Sequence, residues 1–167
     1  REVAWRPNGR GLSWLDRAPN HTGEEDEITD SESQDRVMTV EAPFVVADAQ
    51  VLAETEGRFN DLRFSADGSK FFLEDLKEGE RRILAYNLST GSPVETELTR
   101  YDPDNVIALP GELLTRQDVN GITSTVTSSD GTAVYLRGSG FREQFTPQPF
   151  IDRMDIATGA TTRIFEG

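Results

Sequence analysis

The sequence has no cysteine and only one histidine, His21. Without cysteine there is no disulfide scaffold, no thiolate zinc site and no cysteine nucleophile, and one histidine cannot build a multi-histidine metal site. Basic residues are also few, because 17 lysines and arginines face 30 aspartates and glutamates, for a net charge of −13. Such a surface repels the phosphates of nucleic acids. We therefore expect no metal or other cofactor and no nucleic-acid partner.

Long apolar runs are missing as well. No stretch approaches the ~18 consecutive apolar residues of a membrane-spanning helix, so we expect no membrane partner. The chain begins with Arg1 rather than methionine, and a signal peptide, if the protein has one, is expected to lie before it. The residues leave the compartment open, and a bacterial periplasmic or secreted location is expected over a cytoplasmic one. The 167 residues are enough for one domain of roughly 100–200 residues.

The apolar pattern is that of an all-β protein. Short runs of branched and aromatic residues alternate with glycine, proline, asparagine and aspartate, which is typical of many short strands. The best helical candidate, residues 46–56, is a single weak stretch. The clearest predicted strands cover residues 62–64, 70–73, 83–86, 133–136 and 163–165.

A turn ending in Asn-Gly or Asp-Gly recurs three times, each time between two apolar segments, at residues 3–9, 62–68 and 125–131. Glycine suits a tight hairpin because it accepts a positive φ, and aspartate caps the backbone of its own turn. The three glycines, Gly9, Gly68 and Gly131, are 59 and 63 residues apart. Intervals of this kind indicate a repeat architecture with inserted loops.

A second motif, a strand ending in Thr-Gly, follows in two of the units, at residues 85–91 and 153–159, and residues 37–44 are its counterpart without Thr-Gly. Each unit is predicted as strand, Asp-Gly turn, strand, long connection, strand, Thr-Gly turn, strand. Four antiparallel strands per repeat form the blade of a β-propeller. The fold class is therefore predicted as a partial β-propeller of about three blades, with a two-sheet sandwich as the alternative. The approximate blades are 1–56, 57–120 and 121–167.

Several short segments occur in the order found in a known family. The sequence resembles the prolyl oligopeptidase family of serine peptidases, and within it the branch of the glutamyl endopeptidases. The segments that carry the resemblance are 3–8, 34–44, 52–59, 81–88, 101–104, 138–140 and 149–155.

This resemblance implies a propeller that precedes an α/β-hydrolase domain and restricts the entry of peptide substrates. The hydrolase carries its serine on a Gly-x-Ser-x-Gly elbow, and the chain has no such elbow. Gly138-Ser139-Gly140 has the wrong glycine spacing and is expected in a loop. The resemblance thus implies a chain that is not an enzyme by itself, in a parent serine peptidase. No catalytic, cofactor-binding or metal-binding residue is assigned.

The remaining polar candidates have simpler interpretations. His21 lies in a polar turn beside an acidic run, residues 24–35, which is expected to be a solvated loop rather than a calcium site. The arginines that could receive an acidic peptide are expected to be mainly surface charges. They are Arg81, Arg82, Arg137 and Arg142.

Two other functions stay open at this point: a stand-alone binding propeller or sandwich, and a periplasmic propeller scaffold of the translocation-associated type, whose repeats also use Asp-Gly turns. In any of these cases an incomplete propeller leaves an apolar sheet face uncovered. We therefore expect the chain to be able to associate with another copy of itself.

Overall fold

The computed structural model describes residues 3–7, 9, 11–18, 34–141 and 147–167. The weak helical candidate is not a helix, because residues 46–48 form one 3-10 turn and a strand follows. In the described ranges no helix is long and apolar enough to cross a bilayer. In chain order the strands are β1 (Val3–Trp5), β2 (Gly11–Asp16), β3 (Asp35–Glu41), β4 (Gln50–Thr55), β5 (Arg58–Ser65), β6 (Lys70–Lys77), β7 (Glu80–Asn87), β8 (Val94–Tyr101), β9 (Glu112–Leu113), β10 (Thr115–Gln117), β11 (Thr123–Thr125), β12 (Ala133–Phe141), β13 (Pro147–Asp155) and β14 (Thr161–Glu166).

The strands form three sheets, which follow the chain order except that β9 belongs to the third sheet and β10 and β11 belong to the second. The first sheet is β1-β2-β3-β4 and the core of the second is β5-β6-β7-β8, in both cases with consecutive antiparallel neighbours. The third sheet has the order β14-β13-β12-β9. Strand β11 pairs in parallel with β5, and two residues later Thr127 bridges to Val134 of β12. The chain around β11 therefore begins the third unit and also joins it to the second.

Two apolar clusters hold the three sheets together. One lies between the first and second sheets and includes Leu15, Val37, Phe71 and Leu73. The other lies between the second and third sheets and includes Phe72. Because side chains alternate along a strand, the consecutive run at residues 71–73 supplies both clusters. Sheets of consecutive antiparallel strands that stack in chain order are propeller blades. The prediction of a partial β-propeller is confirmed.

The long connection predicted between the second and third strands is wrong for the second sheet. Only Glu78 and Gly79 join β6 to β7, and both have a positive φ, 54° and 82°. A two-residue turn with both central residues at positive φ has the twist that a tight hairpin needs. The sequence Lys-Glu-Gly-Glu at residues 77–80 predicts this turn less clearly than Asp-Gly would.

Each sheet carries a one-residue bulge at the same place, where the last strand pairs with the one before it. In the first sheet Val37 pairs with Ala53 and Met38 with Val51, so Leu52 is the extra residue. The same count gives Leu98 as the extra residue in the second sheet. In the third sheet it is Ile164. A bulge bends and twists its strand, so the three outer strands share one distortion.

The bulge residues show which faces the stack leaves uncovered. Leu98 is only 4% exposed because the third sheet covers it, whereas Ile164 is 53% exposed. At the other end of the stack Trp5 is 50% exposed, although Phe64, at the equivalent place in the second sheet, is buried against the first sheet. The outer faces of the first and third sheets therefore present residues whose counterparts are buried between sheets.

A buried polar network also joins the first two sheets. The carboxylate of Asp35 accepts hydrogen bonds from the backbone N–H groups of Ala18 (2.9 Å) and Phe59 (3.0 Å), and it forms an ion pair with Arg17. Asp35 is fully buried, so these bonds compensate a charge that would otherwise be costly. The network fixes β5 against the end of β2.

Candidate functional site

The Asp-Gly turns form as the sequence predicts, and two of them have the same hydrogen bonds. Asp67 Oδ1 accepts from Ser65 Oγ (2.7 Å) and from the backbone N–H of Ser69 (2.9 Å). In the third unit Asp130 Oδ1 accepts from Ser128 Oγ (2.5 Å) and from the N–H of Thr132 (3.1 Å).

These hydrogen bonds, with Ser128 as the largest contribution, lower the pKa of Asp130 to about 2. For Asp67 burial acts in the opposite direction, but the bonds from Ser65 and Ser69 together still lower the pKa. Both carboxylates are engaged within their own turns. They hold the hairpins in shape and are not placed for acid–base chemistry.

The Thr-Gly turns also form, and the contacts that hold them are repeated. The N–H of Leu88 donates to the carbonyl of Ser69 (2.9 Å), and the N–H of Ile156 donates to the carbonyl of Thr132 (2.9 Å). Each Thr-Gly turn is thus tied to the Asp-Gly hairpin of its own sheet. The two kinds of turn lie at the same end of the stack.

The two Thr-Gly glycines nevertheless differ in their surroundings. Gly159 lies against the preceding sheet so closely that a Cβ atom added to it would be 2.4 Å from the carbonyl oxygen of Leu98. A Cβ added to Gly91 would have no atom within 4 Å. The Thr-Gly turn of the third sheet therefore packs directly against the second sheet, which we call a closed corner. The Thr-Gly turn of the second sheet leaves a gap between itself and the first sheet, which we call the open corner.

The open corner is a groove of about 420 Å³ between the first and second sheets. One wall comes from β3, β4 and the loop between them, and the other comes from the Thr-Gly turn. Its apolar surface is formed by Val40, Pro43, Leu52, Leu88 and Pro93. Arg6, Glu41, Asp48 and Gln50 supply its polar groups. We call this cavity the open groove.

A charged cleft of about 290 Å³ lies between the second and third sheets. Glu74 is paired there with Arg81 at 3.2 Å and Asp61 with Arg63 at 3.8 Å. Burial raises the pKa of Glu74, and the negative charges of Asp61 and Glu112 act in the same direction while Arg81 opposes them. Since its charges are mostly compensated within the cleft, its chemistry does not point to one ligand.

The arginines considered from the sequence have different environments. Arg82 forms ion pairs with the buried carboxylate of Asp75 and with Glu97, and Arg81 pairs with Glu74. Arg137 is exposed. The structure does not bring these three together into one site. Arg142, His21 and residues 24–33 of the acidic run lie outside the described residues.

The expectation that Gly138-Ser139-Gly140 lies in a loop is wrong, because these residues belong to the C-terminal half of β12. Gly138 pairs with Phe150 of the neighbouring strand, and a Cβ atom at Gly138 would be 2.3 Å from the ring of Phe150. The glycine is needed because the aromatic ring lies across the strand at this position. Sequence spacing alone could not reveal that contact.

The described residues contain no group of three or more potential metal ligands. The sequence analysis missed the open groove, since both Thr-Gly turns read alike in the sequence. One signal in the sequence could have suggested the groove. Pro43 and Pro93 interrupt the strand pattern on its two sides.

No protein-family model matches the chain, and no curated protein matches it either. Among solved structures, the β-propeller domain of the Trilobed protease from Pyrococcus furiosus is similar over 99% of this chain, with a TM-score of 0.55 and 10% sequence identity. TolB from Acinetobacter baumannii has 17% identity and a TM-score of 0.44, with 98% of this chain covered.

A putative dipeptidyl aminopeptidase IV from Bacteroides ovatus has 10% identity and a TM-score of 0.42, with 99% of this chain covered. The chain spans 43%, 43% and 40% of the lengths of these three proteins. The likeness to the Trilobed protease domain shows the β-propeller fold.

Proposed function

We propose that this chain is a non-catalytic β-propeller segment of a serine peptidase, which gates or positions peptide substrates over an α/β-hydrolase domain outside the chain. The observation that carries the proposal is the stack of three propeller sheets, similar in fold to a protease propeller domain, in a sequence without a serine elbow. The ordered segments that resemble the prolyl oligopeptidase family point in the same direction.

The physical basis of such a role is the rigidity of the stack. Its sheets are joined by two apolar clusters, and hydrogen bonds to the buried carboxylates of Asp35 and Asp75 cross from the first sheet to the second. A rigid body of this kind above an active site excludes folded proteins by size and admits extended chains. The finer assignment to the glutamyl endopeptidase branch, and a role of the arginines in choosing acidic peptides, belong to the same proposal.

The first test is to assay the 167-residue chain and the full-length product of its gene side by side. We expect the chain alone to show no hydrolysis of peptide bonds, and the full-length protein to hydrolyse short peptides faster than folded proteins, with loss of activity upon treatment with a serine-directed inhibitor. Serine-dependent turnover by the purified chain would contradict the proposal. A gene without a downstream Gly-x-Ser-x-Gly segment followed by Asp and His would contradict it too.

A second candidate is a stand-alone propeller that binds a protein partner, and the open groove favours it, since a binding groove has a use without an enzyme. The same gene comparison distinguishes the two. A stop codon soon after Gly167 would support the binding propeller, and a downstream hydrolase would support the peptidase.

A further inference from the structure

We propose that the open groove binds an extended segment of a protein chain in which an apolar side chain is followed by a basic one. The proposal concerns a site within the first two sheets. It does not depend on the hydrolase domain, so it can be tested on the chain alone.

The repeated architecture offers a closed counterpart of the open groove. The Thr-Gly turn of the third sheet shows that this fold can close such a corner, since Gly159 contacts the backbone at Leu98 directly. Leu52 occupies in the first sheet the bulge position that Leu98 occupies in the second. Leu98 is nearly fully buried, whereas Leu52 is only partly buried and lines the open groove. The opening is therefore a property of this corner and not a requirement of the fold.

The open corner does not need to close in order to satisfy its own backbone. In the turn above it, the N–H of Ser89 donates to Asn87 Oδ1 (2.9 Å) and Thr90 Oγ1 donates to the carbonyl of Ser92 (3.2 Å). Pro43 and Pro93, which line the walls, have no N–H to satisfy. The groove can thus remain open in the absence of an occupant.

The size and lining of the groove suit a side chain. Its volume of about 420 Å³ lies in the range of roughly 300–1,000 Å³ that is usual for ligand sites. Leu52, Leu88 and the two prolines present apolar surface at which a branched or aromatic side chain can be buried. The polar amide of Gln50 lies at the same groove and can bond to the backbone of an extended segment.

The charges of the groove favour a basic neighbour. Among the described residues that line the groove, Arg6 is the one basic residue, and it already donates to the carbonyl of Gly68 (3.2 Å) and pairs with Glu41 at 3.6 Å. Asp48 is exposed at the groove and has no side-chain partner among the residues that the structure describes. A net charge of −13 on the chain further attracts cationic segments. An arginine or lysine next to the buried side chain would meet the Asp48 carboxylate.

The surface beside the groove offers additional contact area. Phe44, Val45 and Val46 follow Pro43 and are 39%, 46% and 74% exposed. Phe44 packs edge-on against Trp5, with the ring centroids 5.8 Å apart. Consecutive exposed apolar residues on a loop are a usual mark of an interaction surface. An extended segment that leaves the groove on this side would cover them.

The test measures the binding of three capped, fluorescein-labelled peptides to the 167-residue chain by fluorescence anisotropy. The probe is Gly-Gly-Leu-Arg-Gly-Gly, and its controls replace Leu by Gly or Arg by Glu. We expect saturable binding of the probe. Replacing Leu by Gly should lower the affinity at least roughly tenfold, because burying that side chain accounts for most of the affinity. Replacing Arg by Glu should lower the affinity roughly fivefold.

Two variants of the protein locate the site. Gln50→Phe should fill the groove and abolish binding, whereas Thr162→Phe, at an exposed strand position of the third sheet, should leave it unchanged. Asp48→Asn should weaken binding of the Leu-Arg probe but not that of the Leu-Glu control, and Asp104→Asn should change neither. Circular dichroism of each variant verifies that it is folded.

Three results would overturn the proposal. The first is equal binding of the peptides with Leu and with Gly, or binding that disappears in 0.5 M NaCl for all peptides, since both indicate attraction to the net charge alone. The second is unchanged binding by folded Gln50→Phe. The third is no detectable binding of the probe at millimolar concentration. None of these outcomes bears on the peptidase proposal, which is tested with the full-length protein.

Discussion

Substitution of Gly159 by alanine should destabilise the protein more than the same substitution at Gly91. Both glycines have a positive φ, 69° and 84°, so both variants place an L-residue in the left-handed region, at a cost of about 1–2 kcal/mol. Only Gly159→Ala also forces a methyl group to 2.4 Å from the carbonyl oxygen of Leu98. Gly91→Ala adds its methyl group to open space.

The additional cost follows from the nature of the neighbour. The atom in the way belongs to the backbone of β8, which cannot rotate aside as a side chain can, and overpacking of this kind costs about 1–3 kcal/mol. We therefore expect Gly91→Ala to lower the free energy of unfolding by about 1–2 kcal/mol and Gly159→Ala by about 2–5 kcal/mol. For a chain of this length each kcal/mol lowers Tm by roughly 2–4 °C.

The measurement is urea unfolding of wild type and both variants, followed by far-UV circular dichroism and tryptophan fluorescence. Coincident transitions of the two signals establish that a single free energy can be compared. If Gly91→Ala and Gly159→Ala were equally stable, the two corners would not differ as described. The groove between the first and second sheets would then not be a special property of the corner at Gly91.

Three further outcomes are expected. Asp35→Ala should lower the free energy of unfolding in urea by about 3 kcal/mol, because Arg17 and two backbone N–H groups lose their buried partner; a loss below about 1 kcal/mol would contradict this. Because the folded pKa of Asp130 is about 2 against an ordinary 3.8, its stabilising contribution is complete above the ordinary value and is lost as the pH falls through about 2. The difference in urea midpoint between wild type and Asp130→Asn should therefore shrink from pH 5 to pH 2, and a constant difference would refute it. The chain should self-associate in sedimentation at high concentration. Trp5 and Phe165 are 50% and 52% exposed, and replacing both by serine should shift the chain toward monomer; a wild type that is monomeric throughout would count against this.

The parts of the fold that the sequence predicts are those set by local chemistry. Ser65, Asp67 and Gly68 lie within four residues of one another, and the turn they form needs no distant partner. Alternation of side chains along a strand is local too, so the strands at 70–73 and 83–86 were predictable. These features establish the repeat and the all-β class.

The parts that the sequence does not predict depend on contacts between distant segments. Gly91 and Gly159 occupy the same Thr-Gly motif, and only the position of β8 against the third sheet distinguishes them. The parallel pairing of β11 with β5 joins residues about 60 positions apart. The open groove arises from such differences, so apart from Pro43 and Pro93 its residues carry no mark in the sequence.

The burial of both faces of the second sheet has a consequence for the synthesis of the protein. Its run at residues 71–73 provides apolar side chains to both neighbouring sheets. Phe72 is covered by residues that include Val134 and Leu136, and these are translated about 60 residues later. At ~5–20 residues per second this interval lasts roughly 3–12 s. During that time the nascent chain presents a half-covered sheet at the ribosome, which makes this stage the natural moment for a chaperone to bind.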